Sequence, residues 1–263
     1  MLNSLKRNNN TTLTTSLLSR GITTGRRLTQ GHSPGAEQGK KMLDITANHL
    51  GALGVVRMNR EHRYNTLTPN FVKQVKRGVE TMYLDHGVKL IYLTTAQGQH
   101  FSNGTDFRTI MHYRANNEAD KLTQYLGSIF ELQASFAKCN KPIMTVAPGH
   151  SFNSGASLVA ASGFPAMVHN SVMGFNEVQF GFVPHAGSSY YTSRLPGDFG
   201  TFLTLTGMPF TGKDAIRLKL ADTQIDEPLE HELEMQNIVY ALDPSSIVVG
   251  TKNNRCRLIQ GLF

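Results

Sequence analysis

The chain has 263 residues, 40% of them apolar and 17% charged, and carries a formal net charge of +7. That length buries the core of one globular domain and is too short for two large ones; no apolar run approaches the ~18 residues of a membrane span. Two cysteines, Cys139 and Cys256, point to a reducing or neutral compartment rather than a disulfide scaffold.

The positive charge invites a nucleic-acid reading, and its location argues against one. Lys6, Arg7, Arg20, Arg26, Arg27, Lys40 and Lys41 face the single acid Glu37, which leaves the remainder nearly neutral and without a nucleic-acid motif. Residues 1–41 are rich in Arg, Ser, Thr and Leu and poor in acids, the composition of a mitochondrial presequence; a disordered basic tail is the alternative. A secretory signal is excluded, because no unbroken apolar core follows the first basic residues. The expected division is 1–41 presequence or tail, 42–224 folded core, and 225–263 a short C-terminal segment.

From residue 42 the chain alternates strands and helices. Met42 to Arg57 reads as a hairpin of two strands around Gly51 and Gly54. Thr68 is an expected N-cap with Pro69 at the first helical position, followed by Phe71, Val72, Val75, Val79 and Met82 at helical spacing. Val88–Thr95 reads as a strand and 96–107 as a glycine-punctuated loop. Asn116–Cys139 is expected to be a helix with a broad apolar face, Leu122, Tyr125, Leu126, Ile129, Phe130, Leu132 and Phe136. Ile143–Ala147 reads as a buried strand, followed by a Pro148-Gly149 turn, a polar loop and a helix of small residues. Residues 166–175 give a strand pair, and Glu227–Leu242 one amphipathic helix.

Three segments carry the chemistry. The helix of small residues after Gly149 has unpaired N–H groups at its start, suited to an oxyanion or a phosphate. Lys141-Pro142, the strand, Gly149 and the triplet Asn153-Ser154-Gly155 resemble the oxyanion segment of the crotonase (enoyl-CoA hydratase/isomerase) superfamily, where the triplet is usually Gly-Gly-Gly. Phe101, Gly104 and Asp106 match its Phe-x-x-Gly-x-Asp motif, and Glu177, Gly181 and Pro184 its Pro-Glu-x-x-x-Gly-x-x-Pro motif, with Asn176 in place of the first proline. Ser188–Gly197 and Phe202–Ala215 look most like the 3-hydroxyisobutyryl-CoA hydrolase branch.

The resemblance implies an α/β fold, a crotonase-like spiral of repeated strand–strand–helix units. It also implies two oxyanion donors, the backbone N–H groups of Thr105 and Ser154, which stabilise charge on a thioester oxygen without reorganisation. It places Asn59, Arg60 and Gly104 near the coenzyme A site and Glu177 at the water-directing carboxylate. Ser157 stands where a hydratase has its other glutamate, so enoyl hydration is not expected. His185 stands where the hydrolases have an aspartate, and a Glu177/His185 pair is the expected acid–base couple. No tightly bound cofactor is expected; coenzyme A enters only as part of a substrate. A Ser154/His185/Asp106 triad lacks a Gly-x-Ser-x-Gly elbow, and His150, His169 and His185 lack metal-ligand spacing.

Two functions follow from the resemblance. The first is a non-catalytic structural subunit of a mitochondrial assembly on the matrix side, the ribosomal small subunit or a respiratory complex, with homo-oligomer or crotonase-like hetero-oligomer contacts. It is motivated by the altered triplet, the missing aspartate and the short C-terminal region. The second is a 3-hydroxyisobutyryl-CoA hydrolase-like thioester hydrolase of valine catabolism.

Overall fold

The computed structural model describes residues 43–96 and 100–241; the expected presequence, Cys256 and the end of the C-terminal segment lie outside the described residues. The hairpin forms as β1 (Ile45–Leu50) and β2 (Leu53–Met58), closed at Leu50 and Leu53 by a turn in which Gly51 takes a φ of 60°. Thr68 caps α1 (Pro69–Leu84) by accepting the Phe71 N–H, and the expected apolar stripe is buried. β3 (Leu90–Thr95) is buried along its whole length, as a central parallel strand requires. It begins at Leu90 rather than Val88, whose N–H closes a turn onto the Asp85 carbonyl.

Between β3 and the long helix the chain forms α2 (Phe107–Ala115), which no sequence periodicity announced. Asp106 creates it by accepting the Arg108 N–H at 3.1 Å and the Thr109 hydroxyl at 2.8 Å. The helix expected from Asn116 starts instead at Ala119, as α3 (Ala119–Lys138), because Asn117 adopts a left-handed φ of 54° between the two helices.

β4 (Ile143–Ala147) is followed by a short strand, β5 (His150–Phe152), inside the expected polar loop, and then by α4 (Ser154–Ala161). The expected strand pair at 166–175 forms β6 (Phe164–Val168) and β7 (Val172–Gly174), but these belong to different sheets. The chain continues through α5 (Ser188–Thr192), α6 (Phe199–Thr206), β8 (Phe210–Thr211), α7 (Gly212–Arg217), β9 (Thr223–Ile225) and α8 (Pro228–Ala241).

The large sheet has the order β1-β2-β3-β4-β6-β9, antiparallel at the first pair and parallel beyond it; the small sheet has the order β5-β7-β8. Successive turns of the chain leave one strand in the large sheet and the next stretch in the small one: β4 then β5, β6 then β7. β3 obeys the same rule, because Ser102 after it bridges to Ser151 in β5. This is the expected spiral.

Strand alternation divides the core between the faces of the large sheet. Val56 and Met58 of β2 point into the larger cluster with α1, α3 and α4, while Leu53 and Val55 join Tyr92, Met144 and Val146 under Met235 and Val239 of α8. α8 is also held by polar groups: an Arg57–Glu232 ion pair, and the Tyr92 hydroxyl, 3.1 Å from the Pro228 carbonyl and 3.3 Å from His231 Nδ1. Cys139 is a half-buried free thiol whose pKa is raised by burial.

Candidate functional site

Residues 101–106 and 148–155 run beside one another. Three backbone bonds sew them together: Phe101 N–H to the Pro148 carbonyl (2.9 Å), Ser102 N–H to His150 (3.1 Å) and Phe152 N–H to Ser102 (2.9 Å). The approach is closest at two glycines. A Cβ on Gly104, which also sits at a φ of 74°, would lie 2.4 Å from the Phe152 carbonyl oxygen and 2.8 Å from the Ser154 nitrogen. One on Gly155 would lie 2.6 Å from the Ser102 carbonyl oxygen. Tyr125 of α3 fixes the first loop from behind, its hydroxyl donating to the Leu67 carbonyl (2.5 Å) and accepting from the Asp106 N–H (2.8 Å).

The triplet keeps a glycine-like backbone without its glycine. Asn153 has φ 51° and ψ −126°, outside the left-handed basin that asparagine tolerates. Its Nδ2 reaches only the Asn103 carbonyl, at 3.3 Å, and its Oδ1 has no partner among the described residues.

The two residues expected to donate lie in this frame. Ser154 opens α4, where a helix leaves its N–H unpaired. Among the described residues neither the Thr105 nor the Ser154 N–H donates to a backbone carbonyl. Their side chains, however, meet. Thr105 Oγ1 lies 2.8 Å from Ser154 Oγ and 2.6 Å from His185 Nε2, and His185 Nδ1 lies 3.3 Å from Glu177 Oε1. That last approach is within ion-pair distance but off the line of a hydrogen bond, so both Glu177 oxygens lack a hydrogen-bond donor among the described residues. Glu177 is 0% exposed and His185 6%. Aromatic rings enclose the imidazole: Phe182 stands edge-on at 5.1 Å, and Phe107, at 6.3 Å, stacks in turn on Phe180 at 4.5 Å.

A cleft of about 710 Å³ opens in front, walled by Thr105, Asn153, Asn176, Phe107 and Phe180 and rimmed by Arg60, Arg63 and Arg108. Thr105 is the member of the hydroxyl–imidazole–carboxylate chain that lines it; Ser154, His185 and Glu177 lie behind. Of the residues expected near coenzyme A, Gly104 is buried between the loops. Arg60 reaches the cleft but is committed elsewhere, with Nη1 2.9 Å from Thr68 Oγ1, Nε 3.7 Å from Asp44 and its guanidinium 4.9 Å from the Phe71 ring centre. The Asn59 side chain bonds the Leu43 carbonyl at 3.0 Å. Ser157 is fully buried, its hydroxyl without a partner among the described residues. Asp106 caps α2 and takes no part in a triad. Among the described residues no group of three metal-ligating side chains assembles.

The sequence pointed to Thr105 and Ser154 for their N–H groups; it set the Ser154 hydroxyl aside with the triad and passed over that of Thr105. Position next to Gly104 and Asn153 was the available signal, since side chains beside close backbone contacts point into the same gap. The aromatic enclosure had no signal at all, because Phe107, at the start of α2, meets Phe180 and Phe182 from a segment some seventy residues later in the chain.

Backbone donors delivered by two loops, from successive turns of a spiral, are the construction of the crotonase class. The chain belongs to the enoyl-CoA hydratase/isomerase family, whose model matches residues 53–247. Among characterised relatives, it is 27% identical to mitochondrial 3-hydroxyisobutyryl-CoA hydrolase of Rattus norvegicus, over 79% of this chain and 54% of that protein. The Homo sapiens hydrolase is 29% identical, over 70% of this chain and 47% of that protein. Small ribosomal subunit protein mS47 of Arabidopsis thaliana is 32% identical, over 62% of this chain and 40% of that protein. The chain thus spans about half the length of the curated relatives it matches. An enoyl-CoA hydratase structure from Rhodobacter sphaeroides 2.4.1 superposes with a TM-score of 0.70 at 21% identity, over 76% of this chain and 60% of that one, which shows the fold.

Proposed function

We propose that the chain is a structural subunit of a mitochondrial multiprotein assembly, on the matrix side, in which the inherited coenzyme A thioester reaction is closed. The carrying observation is the 2.8 Å contact between the Thr105 and Ser154 hydroxyls. It ties together, side chain to side chain, the two residues whose N–H groups the family resemblance makes the oxyanion donors. Glu177, fully buried and off the cleft, has no direct path to a water beside such a carbonyl. Exposed Phe199, Phe202, Leu205 and Met208 on and beside α6, with Phe180 and Val183 on the preceding loop, supply apolar surface suited to a partner.

The likeness to a small ribosomal subunit protein favours the ribosomal small subunit over a respiratory complex. Size fractionation of mitochondrial lysate, with the chain located by mass spectrometry, tests this. Co-migration with a megadalton particle is expected; recovery only as a monomer or small oligomer would overturn it.

One observation favours a second reading, a 3-hydroxyisobutyryl-CoA hydrolase-like thioesterase: Glu177 and His185 do come together. Coenzyme A would then be part of the substrate. Thioester turnover that is lost in Glu177→Gln is required by this reading; turnover that survives the change rejects its mechanism.

A further inference from the structure

We propose that Thr105 is a nucleophile, activated by His185 and Glu177 and able to take an acyl group from a short-chain ester or thioester entering the cleft. The contacts have the order of a nucleophile–base–carboxylate triad: Thr105 Oγ1 to His185 Nε2 at 2.6 Å, and His185 Nδ1 to Glu177 Oε1 at 3.3 Å. Such triads are recognised by geometry and role rather than by chain order or fold. With the imidazole proton on Nδ1, toward Glu177, Nε2 is free to accept the Thr105 proton. Among the described residues His185 is the group within ion-pair distance of Glu177. Thr105, 3% exposed, is also the residue of this group that lines the cleft.

The remaining parts are in place. The N–H of the nucleophile's own residue and the Ser154 N–H at the start of α4 come from two loops in contact, the arrangement that stabilises a tetrahedral oxyanion. In the first step Oγ1 bonds to the carbonyl carbon as His185 Nε2 takes its proton; the bond to the leaving oxygen or sulfur breaks and that atom receives the proton from His185. In the second step water adds to the Thr105 ester, again through His185. The carboxylic acid leaves and the proton returns to Oγ1. Asn153, Phe107 and Phe180 line the same cleft as Thr105. This chemistry needs no carboxylate-directed water and is independent of whether the chain resides in an assembly.

The test uses the full chain and 4-nitrophenyl acetate, with released nitrophenolate followed by absorbance and the protein by peptide mass spectrometry. The expected result is a stoichiometric burst, then slow turnover, with the acetyl group on the peptide at Thr105. Thr105→Val abolishes the burst, and Thr105→Ser, which keeps the hydroxyl and the fold, restores it with the adduct at the same position. His185→Gln lowers the burst rate at least ~100-fold. Absence of a burst in the wild-type chain, an adduct on Ser154 or elsewhere, or a burst that His185→Gln leaves intact would each overturn the proposal. Should Thr105→Val not fold, Thr105→Ser and His185→Gln still decide it.

Discussion

The two halves of the site are built from different material. One half, residues 101–106 against 148–155, is made by backbone: paired carbonyls and N–H groups, and glycines at the points of closest approach. The other half, Glu177, His185 and the Thr105 and Ser154 hydroxyls, is made by side chains. The backbone half keeps a positive φ at Asn153, where the resembling motif has glycine. The side-chain half carries His185 where the resemblance led to an aspartate, with the Thr105 and Ser154 hydroxyls in contact and aromatic rings edge-on to the imidazole. Where an added Cβ would lie only 2.4–2.8 Å from neighbouring backbone there is no room for alternatives, whereas a side-chain cluster can be exchanged for another that fills the same volume.

The sharpest way to break that contrast is Gly104→Ala. A left-handed φ and a clash with the Phe152 carbonyl act together, and a loss of about 3 kcal/mol in urea unfolding is expected; a loss under ~1 kcal/mol would show that the loops separate easily. Next is Tyr125→Phe, which leaves the Leu67 carbonyl and the Asp106 N–H unpaired. It should cost about 2 kcal/mol, with the unfolding slope unchanged.

Asn153→Gly tests the same half in the opposite direction. Glycine usually destabilises through the entropy of the unfolded chain, but here relief of a strained backbone should outweigh that and a weak side-chain bond. A gain of about 1 kcal/mol is expected, and a loss would mean that asparagine is at ease in this conformation.

The smallest effect is spread over pH and lies on the opposite face of the sheet, under α8. Burial, opposed in part by Glu234, holds the His231 pKa below its ordinary 6.5. The unfolded chain therefore takes up the proton first; the contribution of neutral His231 is complete above pH 6.5 and is lost as pH falls from there through the lowered native value. His150 shifts in the same direction, through burial and then the neighbouring His100. His231→Gln should flatten, without abolishing, the fall in urea midpoint between about pH 7.5 and 5. An unaltered slope would assign the acid sensitivity to the site side of the sheet.

Much of the fold was legible in the chain because its signals are local. The Thr68-Pro69 start of α1, the buried run of β3 and β4 and the small-residue helix α4 each declare themselves within a few residues. α2 was missed because its one strong signal, the Asp106 cap, falls in a glycine loop and only Ile110 of the helix is buried. The strands at 164–168 and 172–174 were visible, but their separation into two sheets was not, since a strand's sequence does not name its neighbour.

The sequence by itself determined the family, through the resemblance of its motifs, the positions of Gly104, Thr105, Ser154, Glu177 and His185 in those motifs, and the strands and helices with strong local signals, because motif spacing and periodicity are properties of neighbouring residues. Only the tertiary structure decided that the Thr105 and Ser154 hydroxyls meet, that His185 turns one nitrogen to Thr105 and the other to Glu177, and that Thr105 alone of the four lines the cleft. The two contacts of Thr105 join residues 49 and 80 positions apart in the chain, brought together by the winding of the spiral rather than by any local preference.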